Sequence, residues 1–267
     1  MVNIKVSGLS TTCRLCNEII PIRKLLDVAI CPQCNSEVRL SEGAKERQWE
    51  KYLSSNIPRQ GMTISVVQKS GVGDADACQA VAALMALKYY GVDTDKSSFY
   101  ASCESAGLGN HVLPWGVLKG AASYGLYAYL ISNNPFEMIN YDDVMDKENL
   151  SLSEAEEKVN RLIEECRSNE KIRLIRSDEE AVYLAKFIEK KAAVLIPTIV
   201  WTEKENHSVV ITNVWDGGVY FIDPNNGTNV KWSFERFFPS WKNERTDGDI
   251  IIISDKEIDF EELAKGD

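Results

Sequence analysis

The sequence predicts an α+β domain that follows a small cysteine-bearing module. Apolar patterns with helical spacing come first in the main part of the chain, beginning at about residue 78. Short β-branched runs broken by Gly, Asp and Pro dominate the C-terminal part. Helices followed by strands favour a segregated α+β arrangement over a doubly wound one. Two CxxC pairs lie within the first 45 residues, ahead of both regions.

The composition bounds the size and surroundings of the protein. Its 267 residues are enough for one large domain with a small module, and a hydrophobic content of 44% supports a sizeable core. The formal net charge of −10 disfavours nucleic acid as a partner. The first residues do not resemble a signal peptide, and no run approaches 18 apolar residues. We therefore expect a cytoplasmic protein that has no membrane partner.

The four clustered cysteines predict a metal site. Cys13 and Cys16 form "CRLC", Cys31 and Cys34 form "CPQC", and fourteen residues separate the pairs. Each pair can hold one ion while the chain turns, and two pairs complete the tetrahedral set that structural Zn²⁺ prefers. An iron–sulfur site or a redox dithiol is the alternative. CxxC pairs without an export signal also indicate a reducing compartment.

The predicted zinc ribbon carries no strong charge. Residues 1–50 hold seven Lys or Arg against six Asp or Glu, so they offer no electrostatic footprint for phosphate. We expect either a docking module for a protein partner or a folded cap on the larger domain. The predicted domain organisation is a ribbon over residues 1–45, a linker helix over 46–60, a main domain over 61–255 and an acidic tail over 256–267.

The predicted helices of the main domain follow one another along the chain. "ACQAVAALMALKYYG" has helical periodicity and stops at a glycine. "PWGVLKGAASYGLYAYLI" predicts a second helix that leads into a strand. "LSLSEAEEKVNRLIEECRSN" predicts a charged amphipathic helix, in which Ser151 and Glu154 fit a capping box. "DEEAVYLAKFIEKKA" predicts a further helix whose lysines suit the negative end of the helix dipole.

The predicted strands are "AAVLIPTIVW", "HSVVITNVW", "GGVYFIDP" and "GDIIIIS". The "WDGGV" between the second and third is a hairpin signal. The simplest register of this hairpin sets Asp223 opposite Val210 to Thr212, a few residues short of His207. A twist, a bulge or a longer turn would be needed to bring Asp223 and His207 together.

Cys78 stands at the point where the first helical pattern begins. A nucleophilic cysteine needs a base, a group that orients the base and donors for the oxyanion. The positive end of a helix also favours thiolate over thiol. The chain offers two histidines as bases, His111 in a loop and His207 at the start of a strand. A small buried core residue is the alternative interpretation of Cys78.

These stretches resemble the papain-like cysteine peptidases that remove double-glycine leaders from bacteriocins. In that family a Gln precedes a cysteine that begins a helix of small residues ending in "YYG", as in "VVQ" and "CQAVAALMALKYYG" here. "LPWGVLKGAASYGLYAYL" is similar to the family's second helix and strand, and "HSVVITNVWDGGVYFIDPNNG" to its His strand and Asp-Pro turn. The family usually reads Asp-Cys-Gly-Pro at the nucleophile, whereas this chain reads "ADACQA".

The resemblance implies a papain-like fold, with a helical half and an antiparallel sheet, and a role for each matching residue. It implies Cys78 as nucleophile, His207 as general base and acid, and Asp223 as the residue that orients the imidazole. Gln68 would donate to the oxyanion beside the backbone N–H of Cys78. The implied activity is hydrolysis of a peptide or isopeptide bond in a peptide or protein substrate, through an acyl-thioester.

Other functions remain open at this point. A transglutaminase-like or phytochelatin synthase-like enzyme uses the same triad to deamidate or to transfer the acyl group. A non-catalytic peptide-binding adaptor with a zinc ribbon is the alternative from another class. An extra helical segment near residues 135–175 forms either a solvated face or a wall of the substrate cleft. Cys103 and Cys166 are expected to be packing residues.

Overall fold

The computed structural model describes residues 5–17, 19–24, 28–39, 78–104, 112–138, 141–176, 193–203, 205–215, 218–224, 227 and 229–260. Four of the sequence predictions lie outside the described residues. They are the linker helix over 46–60, the loop with Gln68, the histidine His111 and the helix over 178–192.

The helices of the described part agree with the local sequence signals. They are α1 (Cys78–Tyr89), α2 (Lys96–Ser102), α3 (Pro114–Ser123), α4 (Asp142–Glu148), α5 (Leu152–Ser168) and α6 (Phe234–Trp241). α1 is apolar on every side and is buried from Ala80 to Leu87, as expected of a central helix. The predicted capping box of α5 is confirmed, because Ser151 and Glu154 each accept the backbone N–H of the other. No helix in the described ranges combines the length and apolar character needed to cross a bilayer.

The strands form two hairpins near the N-terminus and two larger sheets. They are β1 (Lys5–Thr12), β2 (Ile19–Lys24), β3 (Val28–Ile30), β4 (Glu37–Arg39), β5 (Tyr127–Ser132), β6 (Ile172–Arg176), β7 (Val194–Val200), β8 (Asn206–Ser208), β9 (Val210–Trp215), β10 (Gly218–Ile222), β11 (Asn229–Ser233) and β12 (Ile250–Ser254). β1 pairs with β2, and β3 pairs with β4. The five-stranded sheet has the order β6-β5-β12-β7-β8, and the three-stranded sheet has the order β11-β10-β9.

The predicted α+β class is confirmed, with one correction to the antiparallel sheet. β5, β12, β7 and β8 are antiparallel to their neighbours in turn, but β6 runs parallel to β5. The reason lies in the extra segment, because α4 and α5 carry the chain from the end of β5 back to the start of β6. A parallel neighbour requires such a crossover. The extra segment therefore extends the sheet as well as adding helices.

Two apolar clusters cover the two faces of the five-stranded sheet. Val194 and Ile196 of β7 pack in the cluster that contains α1, α3 and the apolar side of α5. Leu195 and Ile199 of the same strand pack in the cluster that contains α6 and the three-stranded sheet. This alternation is the normal two-residue period of a strand that is buried on both faces. The helix-facing side of the sheet therefore receives α1 and the residue at its start.

The charged helix α5 lies at the far edge of the sheet. It packs against α3 and β6, whereas β8, the strand that carries His207, forms the opposite edge. Four strand spacings of about 4.8 Å separate the two edges. Outward-facing Arg161 and Glu165 of α5 form an ion pair at 2.9 Å. This placement favours the interpretation of the charged side of α5 as a solvated face, and it disfavours the interpretation as a wall of the cleft.

Cys103 and Cys166 are buried, as predicted for packing residues. Burial raises the pKa of each thiol to about 12, so both stay protonated at neutral pH. Cys103 ends α2 and lies directly against two glycines of α3. A Cβ at Gly116 would overlap with the carbonyl oxygen of Cys103, and a Cβ at Gly120 would lie 2.5 Å from its sulfur. The glycines therefore let α2 and α3 approach each other closely.

Gly116→Ala is expected to destabilise the domain by about 2 kcal/mol, because the backbone carbonyl of Cys103 cannot move aside as a side chain can. Thermal unfolding followed by circular dichroism measures the loss. Ser123→Ala, at an exposed position of the same helix, is the control and is expected to change stability by less than about 0.5 kcal/mol. Equal stability of Gly116→Ala and wild type would show that the two helices are not in close contact.

Candidate active site

Cys78 is the first residue of α1 and is half-buried. The backbone N–H groups of a first helical turn have no partner within the helix, so they present a positive potential at this end. The sulfur of Cys78 accepts a hydrogen bond from the backbone N–H of Ser208 at 3.4 Å. The thiol therefore lies where α1 meets strand β8, between two sources of positive potential.

His207 and Asp223 form a buried hydrogen-bonded pair. Nε2 of His207 lies 2.7 Å from Oδ1 of Asp223, and each side chain is 5% exposed. Because Nε2 contacts the carboxylate, Nδ1 is the ring nitrogen left to hydrogen-bond the sulfur of Cys78. The indole of Trp201 lies beside the imidazole, with ring centroids 5.1 Å apart. The structure thus brings Cys78, His207 and Asp223 together, which are the three residues that the resemblance implies as a triad.

A break in the strand and a bulge bring Asp223 to His207. The predicted strand "HSVVITNVW" is divided at Val209, so that β8 joins the five-stranded sheet and β9 joins the three-stranded one. β10 pairs with β9 through a register shift, in which Tyr220 faces Asn213 and the next residue faces Ile211. The extra residue shifts the end of β10 toward β8. The one-residue bulge and the division of the strand at Val209 therefore together bring Asp223 to His207.

The electrostatics favour an ion pair between thiolate and imidazolium. Burial raises the pKa of the Cys78 thiol, but the hydrogen bond and charge of His207 and the N–H of Ser208 outweigh it and lower the pKa below its ordinary value. Burial lowers the pKa of His207, but hydrogen bonds with Asp223 and Cys78 raise it to about 9. Both shifts favour the form in which the sulfur carries the negative charge and the imidazole holds the proton.

Other residues at this site were not identified from the sequence. Ser208 and Thr198 pair across β8 and β7 beside the sulfur, and they have no motif of their own. Their positions follow from strand order, which local patterns do not give. Trp201 was visible as one of several tryptophans, but its contact with His207 depends on the loop between β7 and β8. Gln68 lies outside the described residues, so its predicted role stays a prediction.

A row of polar residues crosses the sheet next to the thiol. Ser132, Asp249, Thr198 and Ser208 follow one another across the sheet, and Asp249 directly precedes β12. They continue the alternate positions that pack against the helices. Oδ1 of Asp249 is buried and has no hydrogen-bond partner among the described residues. Burial raises the pKa of Asp249 to about 7; a hydrogen bond with Ser132 opposes the rise and the charge of Asp247 adds to it.

The four N-terminal cysteines also converge. Three of their sulfur–sulfur distances are 3.6 Å (Cys13 to Cys34), 3.5 Å (Cys16 to Cys31) and 3.6 Å (Cys16 to Cys34). All four sulfurs lie within 4.8 Å of one another, and none is in a disulfide. Tetrahedral bonds of about 2.3 Å to one zinc ion place sulfurs about 3.8 Å apart. The four cysteines are therefore positioned to hold one metal ion.

The two CxxC pairs are built in the same way. Each connects two short antiparallel strands, β1 with β2 and β3 with β4. In each, the asparagine after the second cysteine donates its N–H to the carbonyl of the first, from Asn17 and from Asn35, at 2.9 Å. Both asparagines have positive φ, 58° and 55°, a conformation that Asn tolerates better than most residues. The asparagine that follows each pair, in "CRLCN" and "CPQCN", is therefore a sequence signal for this turn in addition to the cysteine spacing.

Comparison with known proteins gives a structural similarity. No protein-family model and no curated protein sequence matches the chain. Among solved structures, the chain is similar to the peptidase domain of ComA from Streptococcus, a bifunctional ABC transporter involved in quorum sensing. The two are 12% identical with a TM-score of 0.40, over 72% of this chain and 98% of that domain. At this level the similarity assigns no activity to the chain.

Asp249→Asn is expected to stabilise the protein at pH 8 more than at pH 5. The pKa of Asp249 is raised in the folded state to about 7, whereas an unfolded chain gives an Asp pKa of about 3.9. The stability that this carboxyl contributes is therefore complete below the unfolded pKa and is lost as the pH rises through 7. The melting temperature of the variant relative to wild type, measured at both pH values, is expected to differ by several degrees.

The control for this measurement is Asp146→Asn, which removes an exposed aspartate of α4. Its melting temperature relative to wild type is expected to be nearly independent of pH over the same range. If Asp249→Asn also gave the same shift at pH 5 and at pH 8, the carboxyl would not titrate in this interval.

Proposed function

We propose that the protein is a papain-like cysteine peptidase that hydrolyses a peptide or isopeptide bond through an acyl-thioester on Cys78. Its substrate would be a peptide or protein. His207 is the general base and acid, and Asp223 orients the imidazole. Gln68 and the backbone N–H of Cys78 donate to the oxyanion. The zinc ribbon precedes a catalytic domain over residues 61–255.

The observation that carries this proposal is the half-buried thiol at a helix start beside a buried pair of imidazole and carboxylate. A helix begins at the sulfur, and Nε2 of His207 is 2.7 Å from a carboxylate oxygen. A cysteine that served packing alone needs neither partner. The two buried thiols, Cys103 and Cys166, have a raised pKa, whereas the pKa of Cys78 is lowered. Lowered pKa values at half-buried cysteines are typical of nucleophiles.

In the first half of the reaction the thiolate of Cys78 attacks the carbonyl carbon of the scissile amide. The carbonyl oxygen takes up the electron pair, and the N–H of Cys78 stabilises the oxyanion because it has no partner within the helix. The imidazolium of His207 then gives its proton to the leaving amine, and the C–N bond breaks. An acyl-thioester and a neutral imidazole remain.

In the second half, water replaces the amine. Neutral His207 removes a proton from water, and the hydroxide attacks the thioester carbon. The second tetrahedral intermediate expels the thiolate of Cys78, which re-forms the ion pair with the imidazolium. Asp223 stays ionised throughout and keeps Nδ1 of the ring turned toward the reacting atoms. Protons and charge therefore balance over the cycle.

The acyl acceptor separates this proposal from the related enzymes. A deamidase or a transglutaminase-like or phytochelatin synthase-like enzyme shares the first half but differs in the substrate amide or in the second nucleophile. A peptide-binding adaptor would need no activated thiol, so the ion pair argues against it. Product analysis by mass spectrometry distinguishes these cases, because peptide hydrolysis gives two shorter peptides, transfer gives a new amide or thioester, and deamidation gives a side-chain carboxylate and ammonia.

We propose that the four-cysteine site holds structural Zn²⁺. Cys13, Cys16, Cys31 and Cys34 supply the thiolate ligands, and the close sulfur spacing suits one tetrahedral ion. An iron–sulfur cluster places several iron and sulfide atoms between its cysteines, so it needs a wider spacing. The hydroxyl of Ser36 lies 3.2 Å from the Cys13 sulfur and supports the thiolate form. The ribbon's role as a docking module and the cytoplasmic location remain predictions.

Cys78→Ala is expected to abolish cleavage of a peptide library by the full-length protein. His207→Ala is expected to lower turnover by roughly 10²- to 10⁴-fold and to slow alkylation of Cys78 by iodoacetamide at pH 7, because the charge that favours thiolate is lost. Asp223→Asn is expected to have a smaller effect on both. Wild-type activity is expected to decline above about pH 9, as His207 loses its proton.

Gln68→Ala separates the oxyanion role from the ion pair. It is expected to lower turnover about 10²- to 10³-fold and to leave alkylation of Cys78 nearly unchanged, because an oxyanion donor acts only after attack. Site-resolved mass spectrometry measures alkylation, since the chain contains seven cysteines. If His207→Ala left the alkylation rate of Cys78 unchanged, the proposed ion pair would be contradicted.

The full-length protein is expected to bind close to one zinc ion per chain. Metal analysis on Cys31→Ser is expected to show that zinc is lost, and Cys103→Ser is the control because that thiol lies outside the cluster. Chelation is expected to unfold the first 45 residues, since a module of this size has little apolar core of its own. Purification of a folded wild-type ribbon without zinc would contradict the proposal.

A further inference from the structure

A chain of polar contacts runs from the start of α1, through two strands, back to Cys78. Nε2 of Gln79 lies 3.5 Å from Oγ1 of Thr198, and Oγ1 of Thr198 lies 3.1 Å from Oγ of Ser208. The backbone N–H of Ser208 donates to the sulfur of Cys78 at 3.4 Å. The resemblance to known peptidases gives none of these three residues a role. Each of the contacts joins residues on different elements.

We propose that Gln79, Thr198 and Ser208 are positioning residues that form a directed hydrogen-bond chain ending on the sulfur of Cys78. This hydrogen-bond chain holds the thiolate at the junction of α1 with β7 and β8. This inference rests on the proposed function, because it assigns these residues to the same nucleophile.

The chemistry of the first group sets the direction of the chain. A side-chain amide nitrogen can only donate, so Gln79 donates and Thr198 accepts. The hydroxyl proton of Thr198 is then free to donate to Ser208. The hydroxyl proton of Ser208 is in turn free to donate to the sulfur, and the interaction of this side chain with Cys78 contributes to the lowered pKa of the thiol. Ser208 thus contributes two donors to one thiolate, the backbone N–H and the hydroxyl.

Burial makes these donors effective. Ser208 is 2% exposed, so water has little access to its hydroxyl. A hydrogen bond to an ionised group is stronger than one between neutral groups, and the difference increases where water is excluded. Gln79 follows Cys78 directly in α1, so the hydrogen-bond chain begins and ends at the same helix start. These contacts therefore also fix the first turn of α1 to the sheet. The same contacts therefore favour the thiolate and fix its position.

The test compares Thr198→Val with Thr198→Ser in the full-length, zinc-loaded protein. Valine has nearly the shape of threonine but no hydroxyl, so it interrupts the chain, whereas serine keeps the hydroxyl. The measurement is the alkylation rate of Cys78 by iodoacetamide between pH 5 and pH 9, resolved by mass spectrometry. Thr198→Val is expected to move the midpoint of the profile to higher pH and to slow alkylation at the acidic end about tenfold. Thr198→Ser is expected to restore the wild-type profile.

Gln79 provides a second test at a half-buried position, where substitution is less harmful to folding. Gln79→Glu replaces the donor by an acceptor, which would turn the hydroxyl of Thr198 away from Ser208. The midpoint is therefore expected to rise, and the added negative charge of Gln79→Glu raises it further. Gln79→Leu removes the donor without adding charge, so the smaller rise expected for it isolates the contribution of the hydrogen bond. Circular dichroism verifies that each variant is folded.

The outcomes test the hydrogen-bond chain separately from the proposed function. A folded Thr198→Val protein with the wild-type alkylation profile would overturn the chain, even if the wild type cleaves peptides. Equal alkylation profiles for Gln79→Glu and wild type would overturn the proposed direction of the hydrogen-bond chain. If the wild type cleaves no peptide but the variants show the expected shifts, the peptidase proposal is rejected and the hydrogen-bond chain is retained.

Discussion

The contact between the start of α1 and strand β8 is the constraint on which the site depends. It joins residues that are 130 positions apart in the sequence, Cys78 and Ser208. α1 is buried along most of its length, so its position is fixed by the apolar packing between helices and sheet. β8 joins the sheet through three residues paired with β7, among them His207 opposite Ile199. The alignment of thiol and imidazole therefore depends on a large core on one side and on a short ladder on the other.

Elements with strong local signals were predictable from the sequence. The apolar pattern of α1 and the capping box at Ser151 are properties of short stretches, and both are present in the structure. β6 was not predicted, because its five residues alternate irregularly between buried and exposed positions. The division of "HSVVITNVW" at Val209 was not predicted either. Val209 and Val210 both belong to buried cores, so hydrophobicity gives no indication of where the strand changes sheet.

The candidate site was predictable where the sequence contains few residues of the required type. A chain with two histidines limits the choice of base, and a cysteine that begins a helix limits the choice of nucleophile. The approach of Asp223 to His207 depends on a one-residue bulge and on the division of the strand at Val209, and neither has a distinct local pattern in this sequence. The supporting residues Thr198 and Ser208 are ordinary strand residues whose proximity follows from sheet order alone. Long-range topology therefore accounts for the part of the site that the sequence did not reveal.

The contrast among the thiols has a consequence for damage by oxidants. Peroxide oxidises thiolates far faster than thiols, so susceptibility follows pKa and access. Cys103 and Cys166 are buried and remain protonated, whereas Cys78 is half-buried and ionises readily. Among the described cysteines of the main domain, oxidation to sulfenic acid would thus begin at Cys78, and under the proposed function it would stop turnover before it disturbed the packing. A reducing agent would reverse that first stage, but sulfinic acid formed by further exposure would leave a folded protein permanently without the proposed nucleophile.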